Sequence, residues 1–154
     1  MLFTGETERS IDEKQRISIP TEMRLAFAAE HGTSIVYASP GPNASIWLWP
    51  EATFQKRANT IEQSLLQDED EMDLEQVLFS QSRRLEIDKQ GRIRLPEMLL
   101  SLAGIARQAV ILGVRDHLEV VDAQKWAPVR DENLSKLREI MVRVRKNRGR
   151  GLGE

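Results

Sequence analysis

The sequence predicts an α+β fold, mainly β, in which two copies of one strand-turn-strand-helix-hairpin-helix unit build a single pseudo-symmetric domain. Three observations predict it. First, Ile11-Asp12-Glu13-Lys14-Gln15-Arg16-Ile17-Ser18-Ile19-Pro20 returns as Ile87-Asp88-Lys89-Gln90-Gly91-Arg92-Ile93-Arg94-Leu95-Pro96, at an offset of 76 residues. Unrelated segments rarely share an Asp, an Arg four positions on, an apolar/polar alternation and a Pro. Second, the correspondence extends outward. Phe3 matches Phe79 and Ile35-Val36 matches Ile111-Leu112 at the same offset; with a shift of four residues, Ile46 to Trp49 matches Leu118 to Val121, and Phe54 matches Trp126. Third, each half is then only about 50 to 75 residues, a size at which a single core is marginal, so the halves are expected to complete one another.

Within each copy the side chains after the Asp-x-x-x-Arg segment alternate. Ile17 and Ile19 stand against Arg16 and Ser18, and Ile93 and Leu95 against Arg92 and Arg94. Period two with β-branched residues predicts a half-buried strand, ended by Pro20 or Pro96 because proline cannot donate to a ladder. The polar residues after Ile11 and after Ile87 read as turns. Gly91 suits a positive φ and Gln15 does not, which predicts a first turn slightly different from the second.

A short helix follows each Pro, with Glu22 or Glu97 at its positive end and Gly32 or Gly104 where a left-handed cap falls. Strands over Ser34 to Ala38 and Ser45 to Trp49, joined by Pro40-Gly41-Pro42-Asn43, predict a hairpin, as do Ala109 to Gly113 and Leu118 to Val121, joined by Val114 to His117. Phe54, Ala58, Ile61 and Leu65 predict a helix by their spacing; so do Leu134, Leu137, Met141 and Val144, with Asp131 as its cap. The chain thus divides into a first module over residues 3–55, a helix and acidic connector over 56–78, a second module over 79–127, a C-terminal helix over 128–145 and a basic flexible tail over 146–154.

With 40% hydrophobic and 30% charged side chains in 154 residues, there is apolar material for one core. No apolar run reaches 18 residues and no basic patch precedes an apolar stretch at the N-terminus. Neither a membrane span nor a secretory signal is expected, and the cytoplasm is the expected compartment. The absence of Cys removes disulfide frameworks, thiolate zinc sites and Cys nucleophiles. The net charge of −2 is unevenly spread: no Lys or Arg lies between Ala58 and Ser82, where seven acidic residues from Glu62 to Glu75 leave +5 on the remainder. A basic working surface beside an acidic connector is compatible with this distribution.

The Asp-x-x-x-Arg turns admit two readings. Arginine presents a planar fork that grips phosphate or the O6 and N7 of guanine, and a hairpin edge fits a major groove about 12 Å wide. Equally, Asp12–Arg16 and Asp88–Arg92 are surface ion pairs that pin a turn, a kind of pair that typically contributes about 0 to 1 kcal/mol. Lys14, Lys89 and Arg94 stand beside them, as phosphate contacts or as a plain solvated face.

Phe3-Thr4-Gly5, then Asp12 to Pro20, then Asp88 to Pro96 resemble the MraZ family of bacterial transcriptional regulators, which carries two AbrB-like (SpoVT-AbrB) modules in one chain; the likeness covers residues 1 to 145. It departs from the family at Gln15, where the first motif usually has Gly, and in the basic run from Arg143 to Arg150. The resemblance implies a double-split barrel with appended helices, and a nucleoid-associated protein that forms a ring of identical subunits. Its partner would be double-stranded promoter DNA of the division and cell-wall gene cluster, including its own gene, bound at repeated boxes. Carried over to this sequence, the DNA-contacting motif falls on Asp12, Lys14 and Arg16 and on Asp88 and Arg92. Arg16 and Arg92, with Lys14, Lys89 and Arg94, are then the expected DNA-binding residues, and Asp12 and Asp88 their supports.

Other functions find less in the residues. His31 and His117 are the only histidines, and no Gly-x-Ser-x-Gly, phosphate loop or His-Glu-x-x-His is present, so neither catalysis, a small-molecule substrate nor a cofactor is expected. The acidic run from Asp68 to Glu75 lacks the spacing and turn glycine of a calcium loop, and no metal is expected. An AbrB-like antitoxin or protein-interaction module, and a ring-forming scaffold without a DNA role, are the alternatives. Ile46-Trp47-Leu48-Trp49 is apolar on both faces and reads as a buried strand or subunit contact; Leu2, Phe3 and Phe79 read as packing residues, with a ring interface as the sharper option.

Overall fold

The computed structural model describes residues 2–31, 34–61 and 68–151. Its first copy comprises β1 (Glu6–Ser10), β2 (Arg16–Ser18), α1 (Thr21–His31), β3 (Ile35–Gly41), β4 (Ser45–Pro50) and α2 (Glu51–Asn59). After α3 (Glu69–Ser80), the second comprises β5 (Arg83–Glu86), β6 (Arg92–Arg94), α4 (Glu97–Ala103), β7 (Gln108–Val114), β8 (His117–Asp122) and α5 (Ala123–Ser135), followed by α6 (Leu137–Gly151). This is a mixed α+β fold in two compact units, Met1–Ala123 and Gln124–Glu154.

The first unit is an open six-stranded antiparallel sheet, ordered β1-β7-β8-β4-β3-β5, and a separate two-stranded ribbon, β2-β6. Replacing every strand by its counterpart in the other copy turns that order into its own reverse. The registers obey the same exchange. Ile17 lies opposite Ile93, and Arg16↔Arg94 and Ser18↔Arg92 are each other's counterparts. Ser10 pairs with Gln108 and Glu86 with Ile35, which makes Ile35 the counterpart of Gln108 at an offset of 73 and corrects the match of Ile35-Val36 to Ile111-Leu112 read from the sequence at 76. Backbone bonds follow suit: Ile11 N to Arg107 O and Ile87 N to Ser34 O are both 2.7 Å. Each copy's first strand therefore completes the other copy's hairpin. The core joins both copies through Ile17, Ile19, Phe27, Val36, Ile46 and Leu48 from one and Ile93, Leu95, Leu99, Ile111, Leu118 and Val120 from the other.

Local chemistry explains the element ends. β1 and β5 are polar (Glu6-Thr7-Glu8-Arg9-Ser10 and Arg83-Arg84-Leu85-Glu86) because they form the sheet's two edges, where charge discourages further pairing. Pro40 is tolerated in β3 because pairing with β5 ends at Ala38. Gly104 takes φ 62° and caps α4 as expected; Gly32 lies outside the described residues. Both hairpin strands run longer than expected, so their loops shrink to residues 42–44 and 115–116, with Asn43, Ala44 and Arg115 at positive φ.

Four helices correct the sequence reading. The helix after β4 stops at Asn59, where the Thr60 hydroxyl donates to Arg57 O at 2.7 Å, so Ile61 falls outside it; Leu65 lies outside the described residues. Part of the acidic connector is α3: Asp68 caps it by accepting from Glu71 N at 2.8 Å, and Glu69, Asp70 and Glu71 complement the positive helix end. Helix α5 begins at Ala123, the last residue of the first unit, with Asp131 inside it and Pro128 beyond its first turn, and α6 continues through Gly151. Residues 146–151 are thus helical and not a flexible tail, and residues 152–154 lie outside the described set. Phe3 is a packing residue, as expected, and is not available as an interface contact: it is buried, its ring 4.9 Å from that of Phe27.

One polar cluster is buried against β4. His117 stacks on Trp47 and Trp49, with ring centroids 4.1 and 4.7 Å away, while its ring nitrogens meet Asp116 at 3.0 Å and Glu119 at 2.8 Å. Burial alone would lower the His117 pKa, but the hydrogen bonds and charges of Glu119 and Asp116 outweigh it and raise the pKa above the usual 6.5. A group whose pKa is raised on folding stabilises the fold fully below its unfolded value and loses that contribution as pH rises through the folded value. Urea unfolding midpoints should therefore fall as pH rises from below about 6.5 through the His117 titration, and His117→Gln should flatten that fall.

The exchanged strands set a second expectation. A fragment of residues 1–60 lacks the β5 and β7 partners of β3 and β1, so it should show no folded monomer by circular dichroism and sedimentation; if it folds, it should do so as a dimer that mimics the missing copy.

Candidate nucleic-acid interface

Asp12 organises the first turn. Its Oδ1 accepts the backbone N–H of Lys14 at 2.9 Å and of Arg16 at 2.8 Å, and its Oδ2 accepts Arg16 Nε at 2.7 Å. Asp88 repeats the pattern, with Gln90 N and Arg92 N both at 2.9 Å and Arg92 Nε at 3.1 Å. One carboxylate thus satisfies two turn amides and holds the guanidinium by its Nε. Among the described residues neither Nη group of either arginine has a partner, so that end of each fork is available to an outside acceptor.

The two turns are alike, against the expectation that Gln15 would distort the first. Gln15 takes φ 64° and Gly91 φ 79°. In each turn the Asp N–H donates to the Arg carbonyl, at 3.0 Å from Asp12 and 2.9 Å from Asp88, and the positive-φ residue donates back to the Asp carbonyl at 2.9 Å. A left-handed non-glycine residue costs roughly 1–2 kcal/mol. Asp12's three bonds, together with Leu95 N donating to Gln15 O at 2.9 Å, hold it there.

The ribbon then gathers the arginines. Ile17 and Ile93 are buried at its centre, so the alternate residues Arg16, Ser18, Arg92 and Arg94 face the other way. Arg16 stands directly opposite Arg94, a like-charge pairing that weakens a sheet. Asp12 offsets the first charge, whereas Arg94 has no carboxylate partner among the described residues. Lys14 and Lys89 sit exposed in the two turns, near opposite ends of the ribbon. All five expected basic residues therefore belong to one ribbon and its turns. Sequence reasoning missed one more: Arg24, on α1, whose guanidinium lies against Gly91. Its signal was a departure from the repeat, since its counterpart is Leu100.

Among the described residues, no group of three or more His, Asp or Glu side chains is gathered to hold a metal ion, and no helix is long and apolar enough to cross a membrane.

Comparison with known proteins identifies the family. The model for "MraZ protein, putative antitoxin-like" matches residues 2–76 and 78–143. Relatives described as "Transcriptional regulator MraZ" include that of Mesoplasma florum, 31% identical over 140 residues, 91% of this chain and 93% of the relative. That of Syntrophomonas wolfei is 32% identical over 139 residues, 90% and 94% of the two chains, and that of Thermomicrobium roseum 30% identical over 126 residues, 82% and 85%. The chain belongs to the MraZ family.

The Arg16 backbone N–H holds Asp12 below the usual 3.8; desolvation opposes it, and the Arg16 guanidinium and the Lys14 N–H add to the lowering; the Arg92 backbone N–H leads the same effect at Asp88. A lowered carboxylate pKa means that the turn is intact above about 3.9 and is released as pH falls through the folded values. Carboxyl NMR titration should place both midpoints below 3.8, and Arg16→Ala should move that of Asp12 upward.

Proposed function

We propose that this chain is a sequence-specific DNA-binding transcriptional regulator and not an enzyme. In this reading it acts on promoter DNA of the division and cell-wall gene cluster, binds repeated boxes as a ring of identical subunits, and works in the cytoplasm on the nucleoid. The carrying observation is the β2–β6 ribbon, with Arg16, Arg92 and Arg94 on the face opposite buried Ile17 and Ile93. A two-stranded ribbon fits a major groove, and an arginine fixed at Nε can read guanine or phosphate through its Nη groups. Lys14 and Lys89 add sequence-independent phosphate contacts, and Asp12 and Asp88 set the aim of the forks. Relatives described as transcriptional regulators support the reading.

The fold is read as a double-split barrel of two interlocked modules, 3–55 and 79–127; the self-reversing strand order and the exchanged first strands support it. Ring assembly is supported by apolar side chains that need cover, among them Leu2 at 72% exposure and Leu74 at 64%. The family description favours a second reading, an antitoxin-like module. Such a chain pairs one module with a toxin-wrapping tail, and two modules in one chain weigh against it.

Weak contacts repeated around a ring add by avidity, so losing one type of contact has a large effect. Arg16→Ala should abolish measurable promoter binding in a titration while leaving oligomer size and melting temperature nearly unchanged, because an exposed pair contributes little to stability. Wild-type affinity should fall steeply with salt. Wild-type binding by Arg16→Ala, or loss of binding only through loss of the oligomer, would make the turn a structural pin.

A further inference from the structure

The two turns share one backbone but rest on different side chains. Gln15 and Leu100 line one groove beside the first turn, and Leu100 is 8% exposed. At the second turn the counterpart positions hold Gly91 and Arg24. A Cβ added to Gly91 would stand 2.5 Å from Arg24 Cζ and Nη1 and 2.6 Å from Nε, so glycine is what lets the guanidinium lie flat against this turn.

Arg24 is poorly served as a structural residue. Among the described residues its buried Nε has no hydrogen-bond partner and no carboxylate pairs with it, while its Nη2 donates to Thr21 Oγ1 at 3.1 Å. An unsatisfied buried donor destabilises a fold, and the scaffold accommodates leucine at the counterpart position. A local rule broken where the other copy keeps it points to function. Packing fixes the guanidinium at a turn that already carries Lys89 and Arg92, with an Nη1 group for which the described residues offer no acceptor. Phosphate matches a fixed, planar, positively charged set of donors.

We propose that Arg24 is a phosphate-contacting residue of the second turn, so that the two ends of the ribbon engage nucleic acid unequally. The proposal rests on the DNA-binding reading above and adds a residue from α1. Because a phosphate contact positions and does not read sequence, Arg24 sets affinity and registration and leaves the preference for promoter sequence unchanged.

The test uses the full chain and compares wild type, Arg24→Leu, Arg24→Lys and Arg92→Ala. Each is titrated with the promoter fragment and with scrambled DNA over a series of salt concentrations, and its melting temperature is recorded. Arg24→Leu should bind several-fold more weakly at low salt. Its log affinity against log salt should be shallower by about 0.9 for each Arg24–phosphate contact. Its promoter-to-scrambled ratio should be kept, and it should melt no lower than wild type because the unsatisfied donor is gone. Arg24→Lys should keep the slope. Arg24→Leu with wild-type affinity and slope, while Arg92→Ala loses binding, overturns the role of Arg24 alone. Weaker binding of both Arg24 variants with lowered melting temperatures makes Arg24 structural and also overturns it. Wild type without salt-sensitive binding to either DNA overturns the DNA-binding reading, and this proposal with it.

Discussion

Everything in the first unit depends on one antiparallel pairing, Ile17 against Ile93. A segment that pairs with its own repeat can satisfy both copies only around a local two-fold, and that condition orients everything attached. It buries the two isoleucines, sends the intervening arginines outward, and directs each copy's first strand to the other copy's hairpin. Because neither copy supplies both edges of its own sheet, neither is complete alone. Fully burying an isoleucine side chain contributes roughly 1.5–3 kcal/mol, several times what an exposed ion pair contributes. The apolar face of the ribbon therefore holds it in place, and its outer face is free to carry charge.

That outer face is where stability and function part. Arg16 opposite Arg94 weakens the ribbon, Gln15 in a left-handed conformation strains a turn, and Arg24 buries a donor without a partner. Asp12 compensates at the first two places, because its carboxylate gathers two amides and the Arg16 guanidinium. Local rules broken together along one ribbon and its turns, beside an apolar core, support the proposal that this ribbon is the working surface.

The repeat, the β2 and β6 strands, the hairpins and the Gly104 cap were legible because each rests on local chemistry: period two, proline's missing donor, a left-handed glycine. The exchange of first strands was not, because long-range pairing leaves no periodicity, and polar edge strands carry little hydrophobic signal. For α3 the signal was present: Asp68 and Glu71 have the spacing of a capping box, but a run of acids without basic partners reads as a connector. Asp131 read as a helix cap and Gly149 as part of a flexible tail, yet α5 and α6 run through them. The site residues could be named from the duplicated motif. Their common face could not, since it depends on register, and Arg24 was visible only as a mismatch between copies.

The absence of cysteine from the chain allows the most direct test of the ribbon as the DNA surface. A single cysteine at Ser18→Cys, on the arginine face, and another at Asn43→Cys, in the exposed β3–β4 loop, can each carry a photoreactive group. With the promoter fragment bound and irradiated, the account expects efficient cross-linking from position 18 and little from position 43. Cross-linking from position 43 with none from position 18 would contradict it.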